Sequence, residues 1–234
     1  MNHVDTVSRR HLRAIATRSG AAVLALILGS EPRAADVDYV VQQASCAEKP
    51  CLHVTLSFVS APDGITRLRL PGDYAGSSGA ASALKVLQAT SPDTSLTPII
   101  DGEVKVRAKA GERVTVRYEL HRVGTLDAGA TLSGAYLPLI ERERARVLGW
   151  TALAIPMLPS RAAQTASMSF LSATGSPLSA YTNLGATGTR VEFAWHPMTI
   201  GTSIVLLGDY AKHSPGKRTV ADSPMSPTLI VAGN

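Results

Sequence analysis

Apolar residues recur at every second position over several separate stretches of the chain. Leu52, Val54, Leu56 and Phe58 alternate with His53, Thr55 and Ser57, and Val114, Val116, Tyr118 and Leu120 alternate with Arg113, Thr115, Arg117 and Glu119. Val191, Phe193 and Trp195 repeat the pattern, as do Leu68 and Leu70 against Arg67 and Arg69. Successive side chains of a strand point to opposite faces, so a period of two predicts half-buried β-strands with one wet face. Further strands are expected at 37–42, 104–108, 148–155, 166–171 and 204–207. Turn chemistry separates these runs at Pro62-Asp63-Gly64, Asp101-Gly102, Ala110-Gly111-Glu112 and Gly185-Ala186-Thr187-Gly188. Short helices have room only near 79–86 and 141–146. Many short strands with frequent turns predict an all-β fold, an antiparallel two-layer β-sandwich with at most one or two short helices.

The N-terminus departs from this pattern. Ser8-Arg9-Arg10-His11-Leu12-Arg13 precedes a short apolar run at 21–28 and then Arg33-Ala34-Ala35. A charged region, an apolar region and a small-residue end have the layout of an export signal over residues 1–35. The run falls short of the roughly 20 apolar residues that a membrane span needs. The paired arginines point to the twin-arginine route. The expected location is periplasmic or secreted, with membrane contact only through an uncleaved leader. Residues 36–210 are then the sandwich domain, and 211–234, rich in Pro, Ser and Gly, form a tail expected to be flexible.

Setting the leader aside changes the charge argument. It holds five of the 23 basic and two of the 18 acidic residues, which leaves 18 against 16, a net charge of +2. No dense basic stripe remains for nucleic acid. Only 5% of the residues are aromatic, so stacking platforms for sugars or bases are scarce.

The search for chemistry returns mostly absences. Cys46 and Cys51 enclose four residues, and an even pair at close spacing in an exported chain reads as a disulfide between the first two strands. Such a bridge stabilises by roughly 2 kcal/mol. The rival reading, a zinc half-site, needs two further ligands, and the six histidines are scattered at 3, 11, 53, 121, 196 and 213. Gly76-Ser77-Ser78-Gly79 and Gly216-Lys217-Arg218 lack the spacing of a phosphate loop. No Gly-x-Ser-x-Gly elbow and no His-Glu-x-x-His occurs. Asp73 and Asp209 are expected to cap turns, and the charges of 141–146 to form a solvated face. No catalytic, cofactor-binding or metal-ligating residue is predicted. A hydrolase site built from dispersed residues is the alternative, with His53, His121, Asp73 and Asp209 its first suspects.

One run carries more information. A strand ends in Leu70-Pro71-Gly72-Asp73-Tyr74-Ala75-Gly76, and Leu84-Lys85-Val86-Leu87 resumes after it. Gly111 to Tyr118, Tyr136-Leu137-Pro138, Gly149 to Pro156 and Ile204 to Tyr210 with Gly208-Asp209 follow in order. This succession resembles the N-terminal β domain of the glycyl-aminopeptidase family of metallopeptidases over 36–210. The resemblance implies an architectural role for Leu70, Pro71, Gly72, Asp73, Tyr74, Gly208 and Asp209. In that family a zinc catalytic domain follows, and no position here matches its ligands. The implied function is a stand-alone, non-catalytic module that binds a peptide, a protein partner or a separate peptidase chain. A remnant of a longer peptidase is the other reading the resemblance permits. Strand addition at a sheet edge is one binding mode open to such a module.

Overall fold

The computed structural model describes residues 35–123, 136–159, 164–185, 187–208, 210–213 and 229–232. The fold is all-β with only short helices, as the alternation predicts. Strands β1 (Val37–Cys46) and β2 (Lys49–Val59) form a hairpin closed by a two-residue turn. Both turn residues, Ala47 and Glu48, have positive φ (47° and 66°), the conformation of a type I′ turn. Neither is a residue that favours it, since the left-handed region costs side chains with a Cβ about 1 kcal/mol each. The Cys46–Cys51 disulfide clasps this hairpin end, as the sequence predicts.

Next come β3 (Ile65–Arg69), a 3₁₀ turn (Ala80–Ala83), β4 (Leu84–Ala89), β5 (Ser95–Leu96), β6 (Glu103–Arg107) and β7 (Arg113–His121). They are followed by β8 (Leu139–Ile140), β9 (Arg144–Leu148), α1 (Gly149–Ala152), β10 (Ile155–Met157), β11 (Thr165–Leu171) and β12 (Ala180–Thr182). The last elements are β13 (Arg190–Ala194), α2 (Pro197–Gly201), β14 (Ile204–Gly208), β15 (Tyr210–His213) and β16 (Leu229–Ala232). A six-stranded sheet runs β13-β11-β1-β2-β7-β4. Two four-stranded sheets, β10-β3-β6-β5 and β12-β14-β9-β8, supply the second layer, and β15 pairs with β16. One buried cluster unites the layers: Tyr39, Val54, Leu56, Phe58 and Tyr118 from the large sheet with Leu68, Val104, Val147 and Val205 from the small ones. The inward rows are those the alternation marks.

Three expectations are corrected and a fourth is narrowed. First, the sheets are not purely antiparallel, because β1 and β11 pair in parallel. Two acids fix that register. Asp36 accepts from Thr165 N (3.0 Å), and Asp38 accepts from Ser167 Oγ and meets Arg113 and Arg190. Second, 148–155 is not one strand. Gly149 N donates to Ser203 O (2.8 Å), and the chain makes one helical turn before β10. Third, 141–146 is neither a helix nor a free charged face. Ala145 and Val147 point inward, while Arg144 Nε donates to Glu141 Oε2 at 2.6 Å and Arg122 approaches the same carboxylate. Period two outweighs charge there. Fourth, the short helix expected at 79–86 is present only as the 3₁₀ turn Ala80–Ala83, which runs straight into β4. The presumed tail contributes the β15–β16 ladder, and 214–228 lies outside the described residues.

Candidate functional site

Pro71 ends β3, because a residue without an N–H cannot extend a ladder. Leu70 N donates to Gly102 O and Gly72 N to Trp150 O (2.8 and 3.1 Å), which turns the chain toward α1. Asp73 Oδ1 accepts from Ala80 N (3.0 Å) and caps the 3₁₀ turn. Ser77 Oγ then closes the loop, donating to Tyr74 O and accepting from Tyr74 N. Asp73 therefore has the turn-capping role expected of it. Leu70 and Pro71 are buried, and Tyr74 is left 38% exposed.

Three rings and one cation meet at this exit. Tyr74 stacks on Trp150 with centroids 6.3 Å apart and planes 24° apart. Tyr136 meets Tyr74 edge-on at 5.8 Å, and the Arg69 guanidinium lies 4.6 Å above the Trp150 ring. The last distance is within the range of a cation–π contact. Two glycines set the position of Trp150. A Cβ on Gly201 would sit 2.1 Å from the indole, and one on Gly149 would sit 1.7 Å from Ile200 O. Without side chains at these positions, α1 and α2 touch backbone to backbone and the indole lies over Gly201. Thr151 Oγ1 donates to Tyr136 O and ties the third ring to the same turn.

The corner opens onto a basic face. Arg67, Arg69, Lys105 and Arg107 all project from the outer side of β3 and β6 and are exposed. Arg67 stands opposite Lys105, and Ile65 opposite Arg107. Glu103 is the acid among them, 3.9 Å from Arg67. Sequence alternation identifies these residues as outward-facing but does not show that β3 and β6 are neighbours. It misses Trp150 altogether, because 148–155 reads as one strand. His196-Pro197 is the signal that locates α2: Pro stands at the first helical position, and His196 Nδ1 accepts from Met198 N (3.2 Å).

The remaining site residues lie elsewhere. Gly208 has φ +92°, and a Cβ there would fall 1.9 Å from Glu143 O, so its role is the close approach of β14 to β9. Asp209 lies outside the described residues. His53 and His121 share the outer face of the β2–β7 pair with Glu119, half-buried beside the disulfide. Asp73 does not join them through a hydrogen bond, its carboxylate being engaged by Ala80 N.

Fold and corner together define a small all-β domain presenting an aromatic and cationic surface beside the exit of β3. No protein-family model and no curated protein matches the sequence. Among solved structures the chain is similar to an aminopeptidase N family protein from Idiomarina loihiensis, with a TM-score of 0.61 and 14% identity. The match covers 85% of this chain and 32% of that one. At this identity the likeness is one of fold, and the chain spans about a third of that protein's length.

Proposed function

We propose that the chain is an exported, non-catalytic binding module that grips an extended acidic peptide or protein segment. It would serve as the N-terminal β domain of a glycyl-aminopeptidase-like protease does, beside a peptidase on this chain or another. The observation carrying this reading is the Tyr74–Trp150–Tyr136 corner adjoining Arg67, Arg69, Lys105 and Arg107. Aromatic and arginine side chains are the ones that most often anchor protein interfaces. Carboxylates of a partner would find guanidinium forks there, and an apolar side chain would find the ring faces. The overall fold likeness to part of a peptidase supports the same reading.

Strand addition at the β4 edge of the large sheet is less favoured. Edge strand β4 is broken by a bulge between Lys85 and Gln88, with Val86 at φ 51° and 60% exposed. Such a bulge interrupts the ladder that an added strand would need.

The non-catalytic part of the proposal rests on metal chemistry. Both groups of metal-ligating side chains among the described residues run through the Cys46 sulfur, which the disulfide holds. The oxidised protein is expected to turn over no substrate in a panel of aminopeptidase and esterase substrates, with or without chelator. Turnover abolished by chelator and by His53→Ala would refute the reading. For export, N-terminal sequencing of protein from the producing cell should begin near Ala35 or Asp36, whereas cytoplasmic protein retaining Met1 would refute it.

A further inference from the structure

The clasped end of the β1–β2 hairpin gathers more metal-ligating chemistry than a structural disulfide needs. Cys51 stands opposite His121, and His53 opposite Glu119. All four therefore fall on the outer face of the sheet. Cys46 reaches them across the turn, its Sγ 3.6 Å from His53 Nε2. The donor atoms of Cys46, Cys51 and His53 lie within 4.8 Å of one another, as do those of Cys46, Glu119 and His121. Both cysteines are buried and both imidazoles half-buried, so a cation here would be partly shielded from water.

We propose that reducing the Cys46–Cys51 bond converts this end of the hairpin into a zinc site. Cys46, Cys51, His53 and His121 are the ligands, and Glu119 holds His121 in place. The spacing supports each half of this set, Cys46 with Cys51 and His53 and Cys46 with His121, and the parting of the sulfurs on reduction must join the halves. Tetrahedral zinc, with bonds of about 2.3 Å to sulfur and about 2.05 Å to nitrogen, places a sulfur and a nitrogen ligand about 3.6 Å apart. Cys46 and His53 already stand at that separation. Two thiolates on one zinc lie about 3.8 Å apart, a change that side-chain rotation can supply with the α-carbons 5.8 Å apart. Glu119 Oε2 is 2.8 Å from His121 Nε2, the carboxylate–imidazole pairing that orients metal-bound histidines. That bond leaves Nδ1 of His121 for the metal.

The conversion balances with a dithiol as reductant. The dithiol gives two electrons and two protons to the protein disulfide and closes to its own disulfide. Zinc then displaces the two thiol protons into water. A metal clasp replaces the covalent one over the strained Ala47-Glu48 turn. In the oxidised state neither sulfur is a thiolate, and both candidate groups lose the ligand they share.

Cobalt(II) is the probe for this site. The protein is reduced under argon with a phosphine, which leaves as phosphine oxide with oxygen from water, and then titrated with cobalt and back-titrated with zinc. One cobalt per chain is expected only after reduction, with thiolate-to-metal charge transfer and the visible bands of tetrahedral geometry, all removed by zinc. His53→Ala and His121→Ala should each weaken binding at least tenfold, and Glu119→Gln by about tenfold. Equal binding by oxidised protein, absent thiolate bands, or a His53→Ala variant that binds as the parent does would each overturn the proposal. Should reduction abolish the β-sheet circular dichroism, zinc must restore it in the parent and not in His53→Ala. Failure to restore it overturns the proposal as well.

Discussion

Gly149→Ala should destabilise the domain by about 3 kcal/mol and displace Trp150 from the aromatic corner. The added methyl would meet Ile200 O at 1.7 Å, Ile200 C at 2.7 Å and Gly201 O at 2.9 Å, and all three are backbone atoms. A flexible side chain could swing away, but backbone here means moving α2 itself. Ile200 is fully buried, and Gly149 N is bonded to Ser203 O across the same contact. Separating the two turns breaks that bond and opens the core beneath Trp150. Gly72→Ala is the matched control within the Leu-Pro-Gly-Asp-Tyr motif. Its Cβ would have only Leu70 O nearby, at 3.9 Å, so a change within about 0.5 kcal/mol is expected. Urea denaturation followed by tryptophan fluorescence compares the two. Equal midpoints would show that the α1–α2 contact is not a constraint.

Tyr118→Phe should cost about 2 kcal/mol and make the domain less sensitive to alkali. The Tyr118 hydroxyl donates to Ala152 O (3.2 Å) and accepts from Ala154 N (3.0 Å), while Tyr39 donates to Ala154 O (2.8 Å). Two phenols of the large sheet thereby hold the segment that leads from α1 into β10. Phenylalanine at 118 leaves the buried Ala154 N–H without a partner, whereas Tyr39→Phe removes a single bond and should cost less. Burial raises the pKa of both phenols. For Tyr39 the neighbouring Tyr118 adds to the rise, and for Tyr118 the Ala154 hydrogen bond partly opposes it. Because the folded pKa lies above the unfolded value, the native state retains protons that the unfolded chain releases near pH 10. Their stabilisation is complete below that pH and is lost as pH rises above it. Chemical denaturation from pH 8 to about pH 11 should show stability falling above pH 10, and less steeply in Tyr118→Phe. Parallel pH profiles for parent and variant would contradict this role.

The centre of the large sheet, β2 and β7, was legible in the sequence because these strands are long and alternate cleanly. Each inward residue of β2 and β7 can be identified without knowing its neighbour. The parallel β1–β11 pair was not legible, because alternation carries no strand direction. Its register depends on Asp36 and Asp38 meeting residues more than a hundred positions away. The turn at Gly149 was hidden by its own composition, since an apolar run of 148–155 fits a strand until the backbone contact with α2 is known. The aromatic corner was half visible. Tyr74 and Arg69 stood at a strand exit, whereas Trp150 and Tyr136 come to it only through the turn at α1. Misreading 141–146 had another cause: alternating Glu and Arg look solvated, and small Ala145 is a weak mark of an inward row.

Selection of displayed random peptides on the immobilised, oxidised domain tests the proposed binding role most directly. Enrichment of sequences combining Asp or Glu with an apolar or aromatic residue is predicted, with the selected peptides recovered uncleaved. Binding of those peptides should be lost in Tyr74→Ala and in Arg67→Glu/Arg69→Glu, with circular dichroism unchanged. A selection that enriches nothing, or peptides that bind both variants as well as the parent, would contradict the binding surface assigned to this corner.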